Sequence, residues 1–152
     1  GSNHEPDQLT ELSEVTETAH RLGVPVLAMS YARGPGVDEH DAESLAHAVR
    51  IAEELGADVV KTAYSGDADS FERVCEATRL PVVIAGGSRG TDRETAEMVR
   101  GAMDAGAAGV SMGRSIFQHD EPESITRAVS AIIHDDADVD AAVEAAGLGI
   151  EA

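Results

Sequence analysis

Tryptophan is missing from this chain, and aromatic residues make up only 3% of it, against 42% hydrophobic residues overall. Its core must therefore be built from Ala, Val, Leu and Ile. Cysteine is nearly missing too. Cys75 stands alone, which excludes an intramolecular disulfide. It falls on the inner face of an expected helix and reads as a small core residue, not a nucleophile. No apolar run approaches the ~18 residues that a membrane-spanning helix needs, and no signal peptide is visible. Metal-ligand spacing is lacking as well. His40 and His47 are seven apart, the other histidines lie in separate elements, and no metal or other cofactor is expected.

Positive charge is scarce. The 29 acidic and 11 basic side chains leave a formal net charge of -18. Such a surface repels nucleic acid and anionic membranes, and no basic stripe offsets it. A phosphorylated substrate would need local basic groups or backbone N–H donors. Acidic excess with almost no lysine resembles proteins adapted to high intracellular salt, where screening relieves self-repulsion. An ordinary acidic cytosolic protein is the plainer reading. Both place the chain in the cytoplasm.

Lysine is the scarcest charge of all: Lys61 is the only one, and the other ten basic residues are arginine. It stands in Asp58-Val59-Val60-Lys61-Thr62-Ala63-Tyr64, a run that reads as a buried strand. A lysine deprived of water loses its proton more readily, and the neutral amine condenses with a carbonyl. Arginine stays protonated and cannot. The structural alternative is a lysine that snorkels from a strand end or pairs with a carboxylate.

The rest of the chain alternates helix and strand. Leu9, Leu12, Val15 and Ala19 predict a helix over residues 5–22, closed by Gly23. A strand is expected over 24–30, then the loop Tyr31-Ala32-Arg33-Gly34-Pro35-Gly36. Helices follow over 41–55 and 68–78, with the Lys61 strand between them. Pro81 to Ala85 is a strand ending in Gly86-Gly87-Ser88-Arg89-Gly90. Thr91 and Glu94 form a capping box at the start of the next helix. Residues 108–112 make a fourth strand, ending in Gly113-Arg114. A short turn at 115–119, a helix from Pro122 to His134 and an acidic terminal helix over 135–147 complete the chain.

Four strands, each followed by a helix, signify parallel βα units. A small doubly wound sheet is one solution. Two features favour another. A helix comes first with no strand before it, and every candidate polar group sits at a strand C-terminus or just beyond, as on the active face of a (β/α)₈ TIM barrel. That barrel needs ~250 residues, so the 152 residues are expected to be its C-terminal half, one partial domain of a longer chain. The opening Gly1-Ser2, without Met, fits a cloning scar or an interior piece.

In such barrels the last two strand loops and a short extra helix often hold phosphate. Here these are Gly86-Gly87-Ser88, Gly113-Arg114 and the turn at 115–119. Glycines let backbone N–H groups approach an anion, and Arg114 offers a guanidinium fork. The plain alternative is that the glycines only make tight turns. Tyr31, one strand before Lys61 and on the same face, is a candidate proton donor or acceptor, or else a packing lid. Arg33 in the same loop could steer an anionic substrate. Tyr64 reads as packing.

The motifs Ala46-His47-Ala48-Val49-Arg50, Glu54 to Thr62, Ser65-Gly66-Asp67, Ile84 to Gly87, Asp104 to Val110 and Gly113 to Asp120 carry a family resemblance. The chain resembles the archaeal-type class I aldolases of the DeoC/FbaB family over nearly its whole length. The resemblance implies that Lys61 forms the Schiff base and Tyr31 donates the proton. It also implies that Tyr31, Ala32, Arg33, Gly86, Gly87, Gly113 and Arg114 contact the sugar phosphate. Val60-Lys61-Thr62 and Ile116 to Asp120 lean toward the family's transaldolase-type synthases. These cleave a phosphorylated deoxy-diulose on the lysine and pass the retained fragment to L-aspartate semialdehyde, on a route to 3-dehydroquinate and aromatic amino acids. The sister activity is class I fructose-1,6-bisphosphate aldolase.

The chain departs from the family pattern at Ala32, where proline is common, and at Ser88-Arg89-Gly90, which is a residue shorter than the usual Pro-Lys segment. The family's acidic proton acceptor lies outside the chain, so this piece is expected to be inactive by itself. The expected partners are small molecules and, by family habit, further copies of the chain. A non-covalent phosphosugar isomerase and a non-catalytic binding subunit are the rival classes; neither needs Lys61.

Overall fold

The computed structural model describes residues 4–87 and 90–148. Strands β1 (Leu27–Met29), β2 (Val59–Thr62), β3 (Val82–Ala85) and β4 (Gly109–Ser111) form one parallel sheet in the order β1-β2-β3-β4. Helix α1 (Glu5–Arg21) precedes β1. Helices α2 (Ala42–Glu54), α3 (Ala68–Glu76), α4 (Asp92–Asp104) and the short α5 (Arg114–Phe117) follow the four strands in turn. Helices α6 (Pro122–His134) and α7 (Val139–Ala145) come last. Spatial order equals chain order, so every crossover steps the same way around the sheet. A doubly wound sheet would reverse at a switch point; this one winds as half a barrel does.

Helices α2, α3, α4 and α7 start where short polar side chains take up orphan N–H groups. Asp41, Asp67 and Asp138 accept from the backbone N–H of Ser44, Ser70 and Ala141. Thr91 and Glu94 form the expected capping box. Two boundaries move from their expected places. The first strand begins at Leu27, not 24, because Pro25 has no N–H and the Val26 N–H is taken by the Asp58 carboxylate at 2.7 Å. The terminal helix begins at Val139, not 135. Asp136 turns the chain with φ 55°, and the Arg100 guanidinium holds its carboxylate at 2.8 Å.

Alternation along the strands separates two unlike faces. Ala28, Val60, Thr62, Val82 and Ile84 point toward the helices and are buried, at 5% exposure or less. They pack on Leu45 and Val49 of α2, Phe71 and Val74 of α3 and Ala102 of α4. A second cluster joins Ala96 and Val99 of α4 to Ile125, Val129 and Ile132 of α6 and Val143 of α7. Cys75 packs half-buried against the first cluster. The opposite face carries Leu27, Met29, Val59, Lys61, Val83 and Ala85. Leu27 and Met29 are 45% and 68% exposed there. No described element covers that face. Lys61 is consequently half-buried, where a strand enclosed on both sides was expected.

Candidate active site

Register sets the surroundings of Lys61. Its Cα partners are Met29 on β1 and Val83 on β3, and Val83 is in turn paired with Gly109 of β4. The ammonium therefore rises from an apolar row, with Leu27 and Val59 in the row below. Among the described residues Lys61 forms no ion pair and no side-chain hydrogen bond. A lysine held to a carboxylate would be a structural strut. An unpaired one in an apolar row is available to a carbonyl compound.

A cleft of about 1010 Å³ opens beyond the C-terminal ends of the strands. Tyr31, Arg33, Gly86, Gly87 and Arg114 line it, so five of the expected site residues share one cavity. Ala63, just past the end of β2 and two residues after Lys61, is among its lining residues. Lys61 itself is not among them. Ala32 is only 9% exposed and joins the apolar core, so its side chain is not presented to the cleft. Gly113 stands next to the lining residue Arg114 as the N-cap of α5. Ser88 lies outside the described residues. Among the described residues no cluster of His, Cys and carboxylates has the make-up of a metal site.

The loop after β1 is braced from within. The Arg33 guanidinium stacks over the Tyr31 ring at 4.7 Å and lies 3.8 Å from the Glu39 carboxylate. The expected anion-steering arginine thus also orients the expected acid–base tyrosine. His40 closes the loop: its Nδ1–H donates to the Tyr64 carbonyl at 2.8 Å, leaving Nε2 as the acceptor nitrogen. His40 borders the cleft, and sequence reasoning passed it over because its partner is 24 residues away. Tyr64 is a packing residue. Its ring meets Phe71 edge-on at 5.1 Å, and burial, helped by Asp67 and Asp104, pushes its phenol upward from the ordinary value.

At the far side of the cleft the glycines have specific tasks. Gly87 adopts φ +61°, a conformation that side chains rarely take. Gly86 has ordinary backbone but no room: a Cβ there would lie 2.7 Å from Ser115 Oγ. Ser115 donates to the Gly86 carbonyl at 3.0 Å. The helix α4 offers little to an anion. Its first turn carries Asp92 and Glu94, and the Thr91 N–H already binds Glu94 at 2.7 Å, holding that carboxyl below its usual value. Gly86, Gly87 and Arg114 line this side of the cleft. Among the described residues the Arg114 side chain has no carboxylate partner.

A winding half-barrel with its polar groups at the strand C-termini and a free lysine on its inner face has the make-up of a Schiff-base aldolase. The chain belongs to the DeoC/LacD family of aldolases, whose family model matches residues 1–119. It is 64% identical over 152 residues to a 2-amino-3,7-dideoxy-D-threo-hept-6-ulosonate synthase of Halobacterium salinarum, covering all of this chain and 57% of that protein. It is 37% identical over 145 residues to a fructose-bisphosphate aldolase class 1 of the same organism, covering 94% of this chain and 55% of that one. Among solved structures it resembles an archaeal fructose-1,6-bisphosphate aldolase whose catalytic Lys is covalently bound to the carbinolamine intermediate of its substrate. The TM-score is 0.83 at 32% identity, over 88% of this chain and 54% of that one. The chain thus spans about half the length of the curated relatives it matches, and its four parallel strands correspond to part of their TIM barrel.

Proposed function

We propose that residues 1–152 form the second half of a (β/α)₈ aldolase barrel and that Lys61 is its Schiff-base residue. The observation that carries this reading is the setting of Lys61. The only lysine in the chain rises from an apolar row, without a partner among the described residues, two residues before Ala63 of the cleft that holds Tyr31 and Arg114. The amine attacks a ketose carbonyl, and the carbinolamine loses water to give an iminium ion. That ion is the electron sink for carbon–carbon cleavage or formation. Tyr31 exchanges the proton, with Arg33 fixing the phenol by stacking. Gly86, Gly87, Arg114 and the neighbouring Gly113 receive the substrate phosphate, joined by Ser88, the next residue in sequence after Gly87. Arg33 and the backbone at Ala32 complete the near wall.

The reaction proposed is the transaldolase-type synthesis of 2-amino-3,7-dideoxy-D-threo-hept-6-ulosonate. The fragment kept on Lys61 is passed to L-aspartate semialdehyde, on a route to 3-dehydroquinate and aromatic amino acids. Identity of 64% to the synthase against 37% to the class 1 fructose-bisphosphate aldolase supports this choice over fructose-1,6-bisphosphate cleavage. The net charge of -18 supports a salt-adapted protein working in the cytoplasm on small molecules. A homo-oligomer is part of the same reading.

In the protein at the full length of its relatives, incubation with each candidate ketose phosphate, followed by borohydride reduction and peptide mapping, tests the mechanism. Addition of L-aspartate semialdehyde or glyceraldehyde 3-phosphate then tests the acceptor. Turnover with the second alone would overturn the synthase reading. Turnover without any adduct at Lys61 would favour a non-covalent phosphosugar isomerase.

A further inference from the structure

The short helix α5 is fastened at both ends to the β3–α4 unit. At its start, Ser115 Oγ–H donates to the Gly86 carbonyl at 3.0 Å, a bond between residues 29 apart in sequence. Gly86 is shaped for that bond. A Cβ would lie 2.7 Å from Ser115 Oγ and 3.2 Å from Met112 Cγ. Just past its end, the Glu121 N–H donates to His119 Nδ1 at 2.9 Å. That assigns the ring proton of the neutral imidazole to Nε2, which donates to Asp92 Oδ1 at 2.7 Å. His119 and Asp92 are largely buried, with side-chain exposures of 15% and 26%. Asp92 is the first residue of α4. One bond therefore grips the entry to the loop after β3, and the other grips its exit.

Resting on the aldolase reading above, we propose that Ser115 and His119 are positioning residues for the substrate phosphate. Arg114 precedes Ser115 and lines the cleft with Gly86 and Gly87. An anion held by two separate loops loses affinity if the loops must be ordered on binding. On a chain of net charge -18, few other cations stand by to make up that loss. The two bonds keep the guanidinium and the glycine backbone at a set spacing before substrate arrives. Neither residue needs to touch the phosphate itself.

The test uses the protein at the full length of its relatives. It compares a ketose phosphate with its unphosphorylated ketose, each read by borohydride trapping. Ser115→Ala and His119→Leu should each raise the half-saturating concentration of the ketose phosphate roughly three- to tenfold more than that of the plain ketose. His119→Gln keeps an N–H donor toward Asp92 and should stay nearer to wild type. Gly86→Ala should reproduce the Ser115→Ala effect, and the two together should cost less than their sum, because the added methyl group and the lost hydroxyl act on one contact. An equal rise for both ketoses, or none, would overturn the proposal. A wild-type protein that traps nothing would overturn the aldolase reading instead. Inorganic phosphate binding by calorimetry then judges the two bonds separately: weaker binding in Ser115→Ala supports the positioning role, and unchanged binding refutes it.

Discussion

Replacing Gly101 by alanine should destabilise this protein, against the usual sign for such a change. Gly101 lies inside α4, where alanine normally gains about 1 kcal/mol over glycine. Here the new Cβ would collide with the Tyr64 hydroxyl and lie 3.2 Å from Cζ. The ring is packed edge-on against Phe71, which is 0% exposed, so retreat toward the cleft would break that contact. Overpacking of this kind costs about 1–3 kcal/mol. Shifting the ring also sacrifices part of an aromatic pair worth about 0.5–1.5 kcal/mol. After the helix gain, a net loss of about 0.5–3.5 kcal/mol remains. Tyr64→Phe removes the colliding oxygen. In that background Gly101→Ala should be close to neutral, a coupling of at least about 1 kcal/mol between the two sites. Urea denaturation midpoints of the four proteins in the cycle measure it. An alanine variant that is more stable than its parent, or an equal loss in both backgrounds, would refute the packing argument.

In the protein at the full length of its relatives, Lys61→Arg should lower turnover by at least about three orders of magnitude, because the guanidinium stays protonated and forms no imine; single-turnover kinetics would detect any surviving activity. Burial, and then Glu72, push the Cys75 thiol up to about 11. Alkylation of Cys75 at pH 8 should accordingly be much slower in the folded protein than in urea. Asp58 and Asp67 are held below their ordinary value of 3.8, Asp58 chiefly by the Val26 N–H and Asp67 chiefly by Ser70. Their stabilisation is complete above that value and fades as pH falls through the lower folded values. Asp58→Asn should flatten the loss of stability below about pH 4, as followed by urea midpoints against pH. Thr91→Ala breaks the capping box and should cost about 1 kcal/mol in the same assay.

Local physics made much of the fold legible in advance. The helices begin at Asp41, Asp67 and Thr91 because a short oxygen-bearing side chain there meets a backbone N–H three residues on. Strand positions followed from apolar runs ending at glycines. What stayed hidden was contact between distant residues. The first strand is shortened by Asp58, which competes for the Val26 N–H across 32 residues. Gly86 read as a backbone free to approach an anion; its missing side chain also makes room for Ser115, which the sequence did not show. Ser115 and His119 fall in the Gly113 to Asp120 motif, but that motif did not reveal their contacts, nor did the sequence around His40 reveal its own; each bonds a partner at least 24 residues away. Lys61 was conspicuous because it is the only lysine, yet its half-exposed setting depends on what covers the inner face of the sheet, and residue order alone does not reveal that.

The most direct test of the central claim is the mass of the peptide carrying Lys61 after incubation with a ketose phosphate and borohydride, in the protein at the full length of its relatives. A covalent mechanism requires the reduced substrate adduct on Lys61 and its loss in Lys61→Arg. Turnover of the same ketose phosphate with Lys61 left unmodified would contradict it.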